Sequence, residues 1–234
     1  MRGSATSLLG APGVGKTLLG LTFLDAGAAA GEPGLYFGFF EARERIVGKA
    51  QNLGLRLASW CEQGLLHVAW QAPLEIFLDE VAERIVDLVT RHGARRVFID
   101  GLEGFVQAAM HPERLPSFLS ALTVLLRARG VTTFLSEELP IFTQTIEGTV
   151  ISVSALVENV ILMRYFEYAG EVRRLISIVK LRESDFDAAI REFRITQQGI
   201  VVGDKFSSVS QLLLGQPQPV EPRGIAPQSA SKSD

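Results

Sequence analysis

The sequence is poor in the residues that build metal and disulfide frameworks. A single cysteine, Cys61, stands among 234 residues, so no internal disulfide can form and no thiolate zinc site can be assembled. The three histidines, His67, His92 and His111, are scattered without ligand spacing and read as ordinary core or surface residues. No apolar run reaches the roughly 18 residues that a membrane helix needs. A charge excess is missing too. Lys and Arg number 23 against 26 Asp and Glu, a net of −3, which provides no basic sheath for a nucleic acid. The start, Met1-Arg2-Gly3-Ser4, has no long apolar signal core. Together these absences make a soluble, reducing, cytoplasmic setting the expectation.

What the sequence does hold is material for a core. Apolar residues make up 47% and charged residues 21%, which excludes disorder for the bulk of the chain. The length suits one α/β domain, expected over residues 1–212. The stretch from Gly215 to Asp234 carries four of the ten prolines and only Val220 and Ile225 as sizeable apolar residues. Residues 213–234 are therefore expected to form a flexible tail.

Apolar strand-like runs alternate with amphipathic helical stretches. That order predicts a mostly parallel, doubly wound sheet. Strands are expected at Ala5–Leu9, Leu35–Phe40, Leu65–Ala69, Arg96–Asp100 and Val131–Ser136. Helices are expected at Lys16–Ala30, Glu44–Leu53, Glu75–His92 and Leu115–Arg129, three of them closed by Gly54, Gly93 and Gly130. Val160–Arg164, Val172–Val179 and Ile190–Ile195 read as further strands. The later ones are expected to be antiparallel, with turns at Ala169-Gly170 and Gln198-Gly199.

Between the first strand and its helix runs Gly10-Ala11-Pro12-Gly13-Val14-Gly15-Lys16-Thr17, a full match to the phosphate-binding loop pattern. Its glycines let backbone N–H groups turn inward around a phosphate, and the helix N-terminus adds partial positive charge. Lys16 would bridge the β- and γ-phosphates, Thr17 would be a ligand for Mg²⁺, and Leu18 continues the nucleotide contact. Arg96-Val97-Phe98-Ile99-Asp100 is an apolar strand ending in an acid at its carboxyl end, where ligands sit in open α/β sheets. Asp100 would hold the magnesium through a water, though an acid there can also be a plain cap. Lys16 and Asp100 are expected to face the polyphosphate from adjacent strand ends.

Taken together, these elements resemble the RecA superfamily of P-loop NTPases, and within it the KaiC family. The resemblance is carried by Gly10–Thr17, Gly31-Glu32-Pro33-Gly34-Leu35-Tyr36-Phe37, Phe40-Glu41, Val97–Asp100, Ile178-Val179-Lys180-Leu181-Arg182, Arg191–Thr196 and Gly199-Ile200. It covers about Arg2 to Gly203. It implies a RecA-like sheet, ATP and Mg²⁺ as cofactors, ATP hydrolysis and a regulatory or signalling role with a protein partner. It also implies a homo-oligomeric ring, commonly a hexamer, with active sites between subunits. The clock members carry two such domains in tandem, whereas this sequence resembles one, and it looks shortened at its start.

The family's residue roles carry over position by position. Its paired glutamates orient the attacking water, and here the pair reads Phe40-Glu41, so only Glu41 is kept. Lys180 and Arg182 match a cationic pair supplied to the γ-phosphate of a neighbouring subunit. Ser136 matches a polar sensor of the γ-phosphate. Gly101 replaces the usual Ser or Thr after the magnesium Asp. Thr149, Ser152 and Ser154 match the self-phosphorylated hydroxyls of clock members only loosely, since Ala155 breaks the adjacent pair.

Three other function classes stay open at this level. A DNA-acting recombinase or helicase is disfavoured, because Glu137–Val150 holds three acids and no Lys or Arg. A nucleotide-gated scaffold with little turnover is suggested by Phe40. A self-phosphorylating kinase is the third.

Overall fold

The computed structural model describes residues 2–140, 156–168, 170–182 and 185–206, with the backbone of 209–210 and 218–219. Its centre is a nine-stranded sheet. In chain order the strands are β1 (Ala5–Gly10), β2 (Gly34–Gly38), β3 (Leu66–Trp70), β4 (Arg96–Asp100), β5 (Thr132–Glu138), β6 (Asn159–Tyr168), β7 (Glu171–Leu181), β8 (Arg191–Thr196) and β9 (Gly199–Lys205). In space the order is β3-β2-β4-β5-β1-β6-β7-β8-β9. Neighbours from β3 through β6 are parallel, and β6 to β9 are joined as antiparallel pairs. The expected RecA-like fold, with antiparallel strands at its C-terminal side, is what forms.

Helices cover both faces, and the period of two along the strands sorts side chains between them. Leu35, Phe37, Val97 and Ile99 enter one core with α4 (Leu78–Arg91), α5 (Leu102–Ala108) and α6 (Leu115–Ala128). Tyr36, Phe98 and Leu8 enter the other with α1 (Lys16–Ala29), α2 (Arg43–Asn52) and α3 (Leu57–Glu62). Each large apolar side chain buried there contributes about 1.5–3 kcal/mol. Burial on both faces explains why β2 and β4 read as nearly unbroken apolar runs.

Several boundaries differ from the sequence reading. The second strand ends at Gly38 rather than Phe40, leaving Phe39 buried and Phe40 exposed. The helix expected from Glu75 begins at Leu78, because Ile76 pairs instead with Ala109 in a parallel bridge. The strand expected to stop at Ser136 runs on to Glu138, held by the pairing of Glu138 with Gly10. Helices α3 and α5 are too short to show a helical period, and they and β9 were not expected. The indole N–H groups of Trp60 and Trp70 donate to Asp25 Oδ1 (2.8 Å) and the Phe39 carbonyl (2.8 Å). His67 and His92 stack with ring centroids 4.0 Å apart. No described helix is long and apolar enough to cross a membrane.

Of the stretch read as a tail, Gln218 and Pro219 are described and pair with Ser210 and Val209. Residues 141–155, with Thr149, Ser152, Ser154 and Ala155, lie outside the described residues.

Candidate functional site

The loop from Gly10 to Thr17 leaves the carboxyl end of β1 and turns into α1. Gly15 takes a φ of 121°, a backbone state that other residues adopt only with strain. It caps α1, and no described side chain satisfies the helix's first N–H groups. Those N–H groups and the helix dipole are the physical basis of an anion site. Lys16 Nζ donates to the carbonyls of Gly10 (2.8 Å) and Ala11 (3.0 Å), lacing the loop together. Val14 is buried against Met163 and Phe193, which anchors the outer side of the loop.

Asp100 ends β4, but it is not on the strand next to β1. β5 lies between them, so the expectation of adjacent strand ends is corrected. The gap is bridged by side chains. Thr17 Oγ1 donates to Asp100 Oδ1 (3.2 Å), Ser136 Oγ donates to the same oxygen (2.8 Å), and Tyr36 OH donates to Oδ2 (3.0 Å). Ser136 Oγ in turn accepts the Gly101 N–H (2.8 Å). The Ser136 hydroxyl therefore holds Asp100 and the start of α5. Hydrogen bonds to a charged group are each worth about 1.5–3 kcal/mol.

Electrostatics follow from burial. Desolvation pushes the Asp100 carboxyl above its ordinary range, against the pull of Ser136, Thr17, Tyr36 and Lys16. Burial likewise lowers the Lys16 ammonium, which Glu138, Glu103 and Asp100 partly restore. Lys16 Nζ and Glu138 Oε1 lie 3.6 Å apart. The Tyr36 hydroxyl is pushed upward by burial and by the Asp100 charge, so it stays a donor.

These groups open onto a cavity of about 460 Å³. Among the candidates from the sequence, Gly13, Gly15, Lys16, Thr17, Leu18, Asp100, Ser136 and Glu41 line it, and Gly10, Ala11, Pro12 and Val14 do not. Glu41 is not bare: Lys49 Nζ donates to its Oε1, and Arg45 Nε lies 3.7 Å from its Oε2. Phe40 also lines the cavity and is 53% exposed, so position 40 presents a ring where a charge could stand. Sequence reasoning missed Tyr36, Lys49, Glu103 and Glu138. Glu138 was findable, as an acid at a strand end two residues beyond Ser136. Tyr36 and Glu103 had no local signal, because long-range packing aims them.

Lys180 and Arg182 are elsewhere. Gly10 pairs with Met163, Thr6 with Asn159, and Asn159 with Leu181. The cationic pair thus sits at the strand end opposite the loop, about 13 Å away along β1 at ~3.3 Å per residue. Lys180 Nζ donates to the Val157 carbonyl (2.8 Å) there.

The donor set fits a magnesium nucleotide. A hydroxyl and a carboxylate stand within hydrogen-bond distance, and all oxygens offered are hard ligands of the kind Mg²⁺ takes beside water and phosphate. Uncapped N–H groups and a lysine ammonium meet the phosphate side. Among the described residues no group of three or more His, Cys, Asp or Glu is placed to hold a metal by itself. A cation shared with a ligand's phosphates suits such a site better than a resident one.

Comparison with known proteins agrees with this geometry. A family model described as the KaiC ATPase matches residues 1–207. The circadian clock protein KaiC3 of Synechocystis sp. is 31% identical over 216 residues, covering 92% of this chain and 43% of its own. The circadian clock oscillator proteins KaiC of Thermostichus vulcanus and Thermosynechococcus vestitus are each 28% identical over 208 residues, covering 89% of this chain and 40% of theirs. The chain thus spans about two fifths of the length of these curated relatives. A phosphate loop laced by its own lysine, an acid at the end of β4 and a match over nearly all of the described chain lead to one assignment: this chain belongs to the KaiC family of ATPases.

Proposed function

We propose that the chain binds magnesium ATP in the cavity over Gly10–Leu18 and hydrolyses it, as one subunit of a cytoplasmic homo-oligomeric ring with a regulatory or signalling role. The observation that carries this reading is the convergence of Lys16, Thr17, Asp100 and Ser136 on one cavity from α1, β4 and β5. The α1 N–H groups and Lys16 would hold the β- and γ-phosphates. Thr17 and Asp100 would hold the magnesium, which when bound neutralises charge on the transferring phosphoryl group. Ser136 and Tyr36 keep the Asp100 oxygens aimed. A carboxylate facing the cavity would orient the attacking water, and Glu41 and Glu103 are the two candidates.

Lys180 and Arg182 lie too far from the loop of their own chain to reach its phosphates, which favours a site completed by the neighbouring subunit. The test is nucleotide binding and phosphate release, measured with the mass of the assembly. Lys16→Ala should abolish binding. Equal binding by the variant, or none by the wild type, defeats the proposal.

A second reading, a nucleotide-gated scaffold with little turnover, is favoured by the Phe40 ring on the cavity wall. It predicts binding without phosphate release.

A further inference from the structure

Among the described residues four carboxylates line the cavity: Asp100, Glu41, Glu103 and Glu138. Three are already committed. Asp100 receives three hydroxyl donors. Glu41 is ion-paired with Lys49 and Arg45, both on α2, although its Oε2 makes no hydrogen bond among the described residues. Glu138 is half-exposed and stands against Lys16. Glu103, in the first turn of α5, is different. Its Oε1 accepts the Glu138 N–H, which fixes the side chain to the end of β5. No salt bridge to a described cation is formed by it, although it feels the charge of Lys16.

Its other oxygen points to a telling place. A Cβ built on Gly101 would lie 2.7 Å from Phe40 Cε2 and 3.8 Å from Glu103 Oε2. The Phe40 ring and the Glu103 carboxylate therefore converge over one backbone position, just beyond Asp100. Gly101 has no side chain and a φ of 86°, and so leaves room for both. Burial pushes Glu103 above its ordinary carboxyl range. A carboxylate raised toward neutrality and held by a backbone N–H is suited to proton work.

Resting on the ATPase reading above, we propose that Glu103 is the catalytic carboxylate that orients the attacking water in this chain, acting from α5 beside the ring at position 40. The water oxygen bonds to the γ-phosphorus as the bond from that phosphorus to the β,γ-bridging oxygen breaks. ADP departs with the bonding pair, and the water proton passes to Glu103 and then to solvent. Glu41, clamped by α2, shapes the cavity wall.

The test compares phosphate release and nucleotide affinity in the full chain with magnesium ATP. Gln at 103 keeps the oxygen that accepts the Glu138 N–H and loses only the charge. Glu103→Gln should lower kcat roughly 100-fold, the scale of a lost general base, with Kd for a fluorescent ATP analogue within about threefold. Nucleotide extracted from that variant should be ATP rather than ADP. Adding Phe40→Glu to Glu103→Gln should restore turnover at least tenfold, because the new carboxylate rises beside the same spot. The proposal is overturned if Glu103→Gln keeps the wild-type rate, if it loses nucleotide affinity along with turnover, if Glu41→Gln costs more than Glu103→Gln, or if the double variant stays inactive. A wild type that binds nucleotide but releases no phosphate overturns it too. A wild type that binds no nucleotide removes the ATPase reading itself, so the two failures are told apart.

Discussion

Thr17 Oγ1 lies 3.2 Å from Asp100 Oδ1, although 83 residues separate them along the chain. The hydroxyl comes from the first turn of α1 and the carboxylate from the end of β4, with β5 between. That pairing is what a shared magnesium would stand beside. Asp100→Asn should therefore lower turnover roughly 100-fold or more, the cost of a lost charge-stabilising group, while nucleotide affinity without magnesium holds. A magnesium titration of phosphate release checks this. A variant with an unchanged magnesium dependence would show that Asp100 serves only as a cap.

Lys16 is buried and held by two carbonyls of its own loop. Burial disfavours its charged form. Lys16→Ala should remove the thermal shift that nucleotide gives to the wild type, while the ligand-free protein keeps its fold. Melting curves with and without magnesium ATP report both. A nucleotide-dependent rise in the variant equal to the wild type's would exclude Lys16 from phosphate binding.

Stability should fall as pH rises from the ordinary glutamate value near 4.5 through the raised value of Glu103. A group whose folded pKa sits above its unfolded value stabilises the fold at low pH and loses that contribution as pH rises through the folded pKa. Burial pushes in this direction first and the Glu138 charge adds to it, while the backbone N–H groups of Glu138 and Glu103 and the Lys16 charge oppose. Glu103→Gln should flatten that slope and raise Tm of the ligand-free protein at pH 8, at roughly 2–4 °C per kcal/mol for a chain of this size. A variant that melts lower than wild type at pH 8 contradicts the sign.

Gly101 is the N-cap residue between Asp100 and α5. Gly101→Ala puts a methyl into the Phe40 ring at a positive φ, which should cost about 1–3 kcal/mol. Adding Phe40→Ala should recover the steric part of that loss but not the backbone part. Urea denaturation of the single and double variants measures the split. Additive losses would mean that the ring and the glycine do not meet.

Lys180 and Arg182 should matter only in the assembly. Subunits carrying Lys180→Ala and Arg182→Ala, mixed with Lys16→Ala subunits, should regain part of the turnover that each lacks alone. One variant type still holds an intact loop, and the other still holds the cationic pair. No recovery on mixing, with subunit exchange shown by mass, removes the cationic pair from the neighbour's site.

The phosphate loop, the acid ending β4 and the α/β alternation were legible without coordinates. Each depends on residues near one another in the chain: glycines that permit inward N–H groups, a lysine one step into a helix, a period of two or of 3.6. The insertion of β5 between β1 and β4 was not legible, because strand order is settled by which faces bury against which helices, across the whole molecule. The same register carries Ser136 and Tyr36 onto Asp100, and packing of α5 brings Glu103, like Phe40, beside Gly101. It also sets Lys180 and Arg182 at the far end of the sheet. Local spacing thus determined which loop offers inward N–H groups and a lysine to an anion. Tertiary packing decided which carboxylates share the cavity, since their neighbours come from other strands and helices and no short-range pattern encodes those meetings.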